Sequence, residues 1–434
     1  MLLLLVVAGC STTSVISLGG GGGGGGGSTD TGVVAEIDTD EEILPGDTDT
    51  AEDTAPPDDP AANLAWQEAF FVDTVIHEIE ITLAEDSYRD LRRDGHTYVS
   101  GDLTINGDTV SNVGVRLRGK IGSYRELYGK PKFKIDMSEY SSGQRIHGLK
   151  TVLLNNAVVD CSYLKENIGY AAFRNAGITA SRTSFARVTV NGEAYGLYVV
   201  VEAPDGEFLQ DRFEGAEAEG NLYDGKYLYD WNTGNYTLLD FDSGVDHLFA
   251  LEEGVDVANA DIAAISDAAH DAGLGEFAAA MDPLLDWEQW RLSWAVEQWT
   301  GHLDGYQMNR NNYRVYFRPS DGKMTYMPFD FDYAFLADGG WGVWWTGPSG
   351  NLARSCISER ACRAEHVASV ETMLSRIDAP GLRTKLDEMM ALIHDDVADD
   401  PRRECSASQA WSYQDALAQW IDGREATVRA TWGL

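Results

Sequence analysis

The sequence predicts an α+β fold, sheet-rich in its N-terminal part and helical in its C-terminal part. Two observations carry this. Alternating apolar segments close around Asn106-Gly107 and Asn191-Gly192, and Asn-Gly supplies the positive φ of a tight hairpin turn. Beyond residue 260 the alternation gives way to helical spacing, first in an Ala-rich stretch and then in one rich in Trp. Strands first and helices later read as α+β, and no internal repeat is visible.

In chain order, Val72–Leu83 alternates as a strand and Glu85–Arg93 has the spacing of a short helix. Tyr98–Ile105 and Thr109–Arg118 form the first hairpin. In Lys132–Met137, Phe133 and Ile135 share one face while Lys132, Lys134 and Asp136 share the other. Val152-Leu153-Leu154 is a short buried strand. Ser162–Ala176 is helical and stops before Gly177, a C-cap signal. Ser184–Val190 and Tyr195–Glu202 form the second hairpin. Asp261–Met281 reads as one helix, and Trp287–Thr300 as another whose Trp287, Trp290, Trp294 and Trp299 face a core. Tyr313–Phe317 and Lys323–Pro328 make a third hairpin, and residues 364–434 are mostly helical.

Charge is uneven. Residues 1–60 hold no Lys or Arg and twelve Asp or Glu, out of a chain total of 70 acids against 33 bases. So acidic a chain argues against a nucleic-acid partner, which requires Lys and Arg clusters. The run Leu2–Val7 followed by Ala8-Gly9-Cys10 reads as a signal peptide over 1–10 ending in a lipobox-like Cys, so export as a bacterial envelope lipoprotein is expected, with membrane attachment only through Cys10. It is too short for a spanning helix. Residues 11–62 combine nine consecutive glycines with acidic and Pro-rich runs, the composition of an extended tether, which leaves 63–434 as one domain. Besides Cys10 there are four cysteines, enough for two disulfides. Three connectivities exist; Cys356 with Cys362 closes a small loop and leaves Cys161 with Cys405.

The chemistry concentrates in Gly301–Tyr313, which contains His302-x-Asp304 and Asn309 five residues after the Asp. That is the spacing of a protein-kinase catalytic loop, in which Asp accepts the substrate hydroxyl proton and Asn holds a metal. After one hairpin comes Asp330-Phe331-Asp332, where a kinase places its metal-binding Asp. Mg²⁺ takes hard oxygen ligands, which carboxylates and carboxamides supply. His302 reads as a packed histidine at a helix end.

Several stretches resemble the CotH family of atypical kinases: Arg116-Leu117-Arg118-Gly119-Lys120, Lys130-Pro131-Lys132-Phe133-Lys134-Ile135, Leu153-Leu154-Asn155-Asn156 with Asp160-Cys161-Ser162, the hairpin Asn191-Gly192-Glu193-Ala194-Tyr195-Gly196-Leu197-Tyr198 ending in Glu202, and Asp330-x-Asp332. The resemblance covers roughly residues 70–340. It implies a bilobal kinase-like fold that binds ATP with Mg²⁺ or Mn²⁺ and phosphorylates proteins. By position it implies that Asp304 is the catalytic-loop Asp and Asp330 the metal Asp, with Asn309 or Asn312 as a second metal or positioning group. It also makes Lys134 the phosphate-contacting lysine of the strand and places Arg118 in a basic loop over the phosphates. Glu202 becomes a group that orients a lysine or binds metal, and Asp332 a second ligand or a helix cap. The chain departs from the family at Lys120–Arg125 and carries three extra residues between Asp304 and Asn312-Tyr313.

A second function class is a surface-anchored adhesion module on the same fold. The tether suits it, ATP is scarce outside the cytoplasm, and Trp341, Trp344 and Trp345 sit among glycines as a ligand-contacting loop would. Paired carboxylates of a glycoside hydrolase are a third class, which nothing else in the chain asks for.

Overall fold

The structure is a computed structural model that describes residues 59–434 except 121, 226–228, 231–234, 237, 243, 245, 257, 274 and 337–346. The signal segment, Cys10, nearly all of the tether, and Trp341, Trp344 and Trp345 lie outside the described residues.

Helix α1 (Pro60–Phe70) begins at Asp59, whose carboxylate accepts the Ala61 N–H, and Pro60 takes the first turn, where its missing N–H is not needed. It therefore starts inside the stretch expected to be tether: the Asp-Pro start signal outweighs the polar composition. Strand β1 (Ile76–Leu83) and helix α2 (Glu85–Arg93) follow, then β2 (Val99–Ile105) and β3 (Asp108–Arg118) joined at Asn106 and Gly107, both at positive φ. Next come β4 (Lys132–Asp136), β5 (Thr151–Asn155) and α3 (Lys165–Ala176), which ends at left-handed Gly177. The hairpin β6 (Thr183–Val190) and β7 (Glu193–Glu202) completes a closed seven-stranded barrel in the order β1-β2-β3-β4-β5-β7-β6. All neighbours are antiparallel except β1 and β6. Alternation divides the strands between two cores: Leu117, Phe133, Ile135, Val152, Leu154 and Val200 fill the barrel, whereas Leu153, Phe185, Leu197, Val199 and Val201 face α3 and the helical half.

The second half holds α4 (Gly206–Arg212), β8 (Asn221–Gly225), the two-residue strands β9 (Tyr229–Asp230) and β10 (Asn235–Tyr236), β11 (Phe249–Glu253), α5 (Ala260–Asp271), α6 (Phe277–Met281) and α7 (Trp287–Thr300). The hairpin β12 (Tyr313–Phe317) and β13 (Met324–Pro328) leads to α8 (Asn351–Ser358), α9 (Arg360–Arg376), α10 (Ala379–Asp399) and α11 (Ala407–Trp432). Two expectations are corrected. The helix read over Asp261–Met281 is broken between Asp271 and Phe277, where Gly273 and a positive-φ Gly275 interrupt it. The helical half also contains a four-stranded antiparallel sheet, β11-β8-β12-β13, because β8 pairs with β12 and β11 with β8, extending the expected third hairpin on one edge. The fold remains α+β. Among the described residues no helix is long and apolar enough to cross a membrane.

Disulfides join Cys356 to Cys362 and Cys161 to Cys405. The second ties the lead-in to α3 to the segment before α11. In the helical core His366 is wholly buried beside Trp294 and Trp432 and accepts a hydrogen bond from Gln298 Nε2. Burial depresses its pKa to about 3, so the folded state holds it neutral. The unfolded chain takes up this proton first. Stability from His366 is therefore full above about pH 6.5 and is lost as pH falls toward 3. Urea midpoints measured between pH 7 and 4 are expected to fall less steeply in His366→Gln.

Candidate active site

On the outer face of the barrel, β3 and β4 pair in a register that sets Arg116 opposite Lys134 and Arg118 opposite Lys132. The apolar side chains between them point inward, so four cations share one face. Like charges directly across strands repel, and burial makes this worse. The face therefore requires anions.

The segment after β13 delivers them. Lys132, 2% exposed, donates from Nζ to Asp330 Oδ2 at 2.8 Å and to Asp332 Oδ2 at 3.2 Å. The lysine that reaches the paired carboxylates is thus Lys132, whereas Lys134, which the resemblance made the phosphate-contacting lysine, does not pair with them. Both lie on the correct face, and β4 begins at Lys132, the end that the Asp330 segment meets. Lys134 stands one pleat further on, about 7 Å along the strand. It makes no ion pair with any described residue, and burial together with Arg116 lowers its pKa.

Arg118 donates to Asn155 Oδ1 at 2.9 Å, and Asn155 Nδ2 donates to Glu166 Oε1 at 2.7 Å. Glu166 is a buried residue in the first turn of α3, and sequence reasoning missed it. Burial and the nearby Asp330 charge raise its pKa well above the ordinary carboxylate value. Nothing in its local sequence set it apart, since Lys165, Glu166 and Asn167 are consecutive polar residues and all three are buried. Glu202 is not part of this group. Strand parity puts it on the side of Val200, and it is held by Arg182 and Arg212. Glu202, read from the resemblance as orienting a lysine or binding metal, instead pairs with two arginines away from Lys132.

The loop after α7 starts at Gly301, a left-handed C-cap. Its fold is set around Asp304, whose backbone oxygen accepts the N–H of Asn311 at 3.1 Å and of Asn312 at 2.7 Å, while Oδ1 accepts Asn309 Nδ2 at 2.6 Å. Asn312 has φ +58° and donates from Nδ2 to the Asp330 backbone oxygen at 3.1 Å. The two candidate asparagines are thereby separated: Asn309 serves Asp304, and Asn312 ties the loop to Asp330.

Asp330 has φ +48°, an uncommon conformation for a non-glycine residue, and its N–H donates to the Tyr170 hydroxyl. Its neighbour Phe331 is fully buried on Tyr170 and Phe173 and stacks on His302 at 4.6 Å between centroids. A Cβ at Gly169 would meet the Phe331 ring at 2.5 Å, so α3 needs glycine there. Lys165 Nζ donates to the Asp332 backbone oxygen at 3.1 Å. His302 is fully buried, as a packed histidine should be, and burial depresses its pKa to about 4.

The carboxylates differ in electrostatics. Burial alone would raise Asp330, but Lys132 and Arg118 outweigh it and hold this carboxyl well below the usual range. Asp332 is pushed up to about 7 by burial and then by Asp330. Asp304 is pushed up to about 6, chiefly by burial, with Asp330 adding to it. Among the described residues no group of three or more His, Cys, Asp or Glu is arranged to hold a metal ion. Asp330 and Asp332 nevertheless offer hard carboxylate oxygens beside Asn312, whose own Oδ1 accepts from Asn311 Nδ2 at 3.1 Å. That suits Mg²⁺ or Mn²⁺ arriving with nucleotide phosphates, because Mg²⁺ needs only one or two protein carboxylates in such sites.

A fixed cation, oxygen donors and a carboxylate placed for an acceptor hydroxyl are what phosphoryl transfer draws on, and atypical kinase-like proteins carry them on a frame of sheet and helix. The CotH kinase protein family profile matches residues 115–428, and the protein belongs to that family. It is a kinase-type phosphotransferase by that membership. No curated protein sequence matches the chain. Among solved structures, the proinflammatory kinase CtkA of Helicobacter pylori is similar at 11% identity over 76% of this chain and 88% of its own, with a TM-score of 0.30. HipA of the Shewanella oneidensis MR-1 toxin–antitoxin system, in its complex with HipB and operator DNA, is similar at 15% identity over 73% and 68%, with a TM-score of 0.28. At those scores neither bears on the site.

Proposed function

We propose that this protein is an exported, metal-dependent protein kinase that moves the γ-phosphoryl group of ATP to a Ser or Thr hydroxyl. The observation that supports this best is Lys132 held on Asp330 and Asp332 while Asn312 ties the Asp304 loop to the same segment. In this reading the barrel acts as one lobe and the helical half as the other. Asp330, Asp332 and Asn312 hold Mg²⁺ or Mn²⁺, which neutralises phosphate charge when bound. Lys132 keeps Asp330 oriented. Lys134, Arg116 and Arg118 face the phosphates, and Lys134, which makes no ion pair with any described residue, is the lysine that contacts them. Asp304, oriented by Asn309, accepts the hydroxyl proton as the acceptor oxygen bonds to the γ-phosphorus; the bond to the bridging β–γ oxygen breaks and ADP leaves. The remaining rate enhancement is positioning and fixed charge.

A signal peptide ending at Cys10, lipidation there and a tether up to Asp59 complete the proposal; the substrate is then a protein at or beyond the envelope. The two disulfides suit an oxidising compartment. The test is label transfer from γ-labelled ATP to a generic acidic protein acceptor and to the kinase itself, with Mg²⁺, with Mn²⁺ and with chelator. Transfer that needs metal and disappears in Asp330→Ala is expected. A folded protein that binds no nucleotide would move the reading to the adhesion module.

A further inference from the structure

Glu297 lies in the last turn of the largely buried helix α7 and is 0% exposed, with no cation paired to it among the described residues. Such a carboxylate is costly unless every lone pair is used. Here Oε1 accepts the Tyr306 N–H at 2.7 Å and the Tyr326 hydroxyl at 2.6 Å, and Oε2 accepts the Gln307 N–H at 3.0 Å. The donors come from two places. Tyr306 and Gln307 follow Asp304 in its loop, and Tyr326 lies on β13, the strand that runs into Asp330. Gly305 closes against the carboxylate: a Cβ there would stand 2.4 Å from Oε1. The next helical residue reinforces the join, since Gln298 Nε2 donates to Gln307 Oε1 at 3.0 Å.

We propose that Glu297 is a positioning residue that fixes the Asp304 loop relative to the Asp330 strand. It touches no reacting atom. It clamps both segments to one helix, so three hydrogen bonds to a single carboxylate act with the direct Asn312–Asp330 tie to set the separation of Asp304 from Asp330. Burial raises its pKa to about 7, and the bonds from Tyr326, Gln307 and Tyr306 work against that rise.

The inference rests on the kinase reading for its kinetic readout and on the fold alone for its second readout. Glu297→Gln keeps the shape but turns an acceptor into a donor facing N–H groups. We expect kcat to fall about 10- to 100-fold, the cost of a small misplacement, with the KM for ATP unchanged within about twofold. Hydrogen exchange of the Tyr306 and Gln307 amides should quicken while the barrel strands keep their protection. Normal kcat together with normal loop exchange overturns the proposal, and so does loss of kcat and ATP affinity in step. If Glu297→Gln does not fold, Tyr326→Phe decides. It removes one donor and should lower kcat with KM kept and quicken exchange at Tyr306; no change in either overturns the proposal. Wild-type protein without any phosphoryl transfer sinks the kinase reading instead, and the exchange experiment still decides the role of Glu297.

Discussion

Replacing Asp304 by Asn is expected to slow phosphoryl transfer by about 10²- to 10⁴-fold, the usual worth of a positioned general base, with Mg-ATP affinity little changed. Asparagine preserves the size of the side chain and can still pair with Asn309, so the loop should keep its shape. Only the capacity to take a proton is lost. Because burial and the Asp330 charge lift Asp304 to about 6, wild-type transfer should rise with pH through about 6 and level off above it. That limb should vanish from the residual activity of the variant, as a pH–rate profile will read. Asp330→Asn gives a different result: both transfer and metal-dependent nucleotide binding should be lost. If Asp304→Asn kept full activity, the loop would have no chemical role.

The second large effect is on stability. Lys130 and Asp400 are 1% and 0% exposed at their side chains and form an ion pair deep between the loop before β4 and the segment after α10. Asp400 also accepts the Tyr163 hydroxyl at 3.1 Å, the Leu197 N–H at 3.1 Å and the Arg402 N–H at 2.9 Å. Arg402 stacks on Tyr195, Arg125 pairs with Glu404, and Cys405 is bonded to Cys161. Residues 400–405 therefore fasten the C-terminal helices to the barrel. Asp400→Leu leaves the Lys130 charge buried without its partner, and about 3–5 kcal/mol of stability should be lost. Lys130→Met with Asp400→Leu removes both charges and should recover most of it, since replacing a whole buried pair by apolar groups is often neutral. Urea unfolding under oxidising conditions measures both. Burial lowers Lys130 to about 8, and the Asp400 carboxylate works against that fall. Equal losses in the single and double variants would mean that packing, and not charge, holds the join.

What could be read from the sequence was local. Asn106-Gly107 and Asn191-Gly192 announced their hairpins because a two-residue turn at positive φ leaves few alternatives. The ends of α2 and α7 follow from their own residues. Asp304 and Asp330 could be picked out by their order around a hairpin, and Asn312 of the Asp304 loop hydrogen-bonds the Asp330 backbone. What could not be read was decided by other parts of the chain. Lys132 and Lys134 are equivalent by strand parity, and the choice between them depends on where the segment after β13 arrives. Glu202 follows a suggestive hairpin, but its parity turns it away from Lys132 and toward Arg182 and Arg212. Glu166 looks like an ordinary first-turn acid until α3 is packed on the barrel. Strands β8 and β11 lack turn dipeptides and become strands by pairing beside β12 and with each other.

The most direct test of the central claim is calorimetric titration of the protein with ATP, with and without Mg²⁺ or Mn²⁺, alongside Asp330→Ala. The account predicts binding that requires metal in the wild type and is lost in the variant, with both proteins folded. Equal binding by the two, or none by a folded wild type, would contradict it.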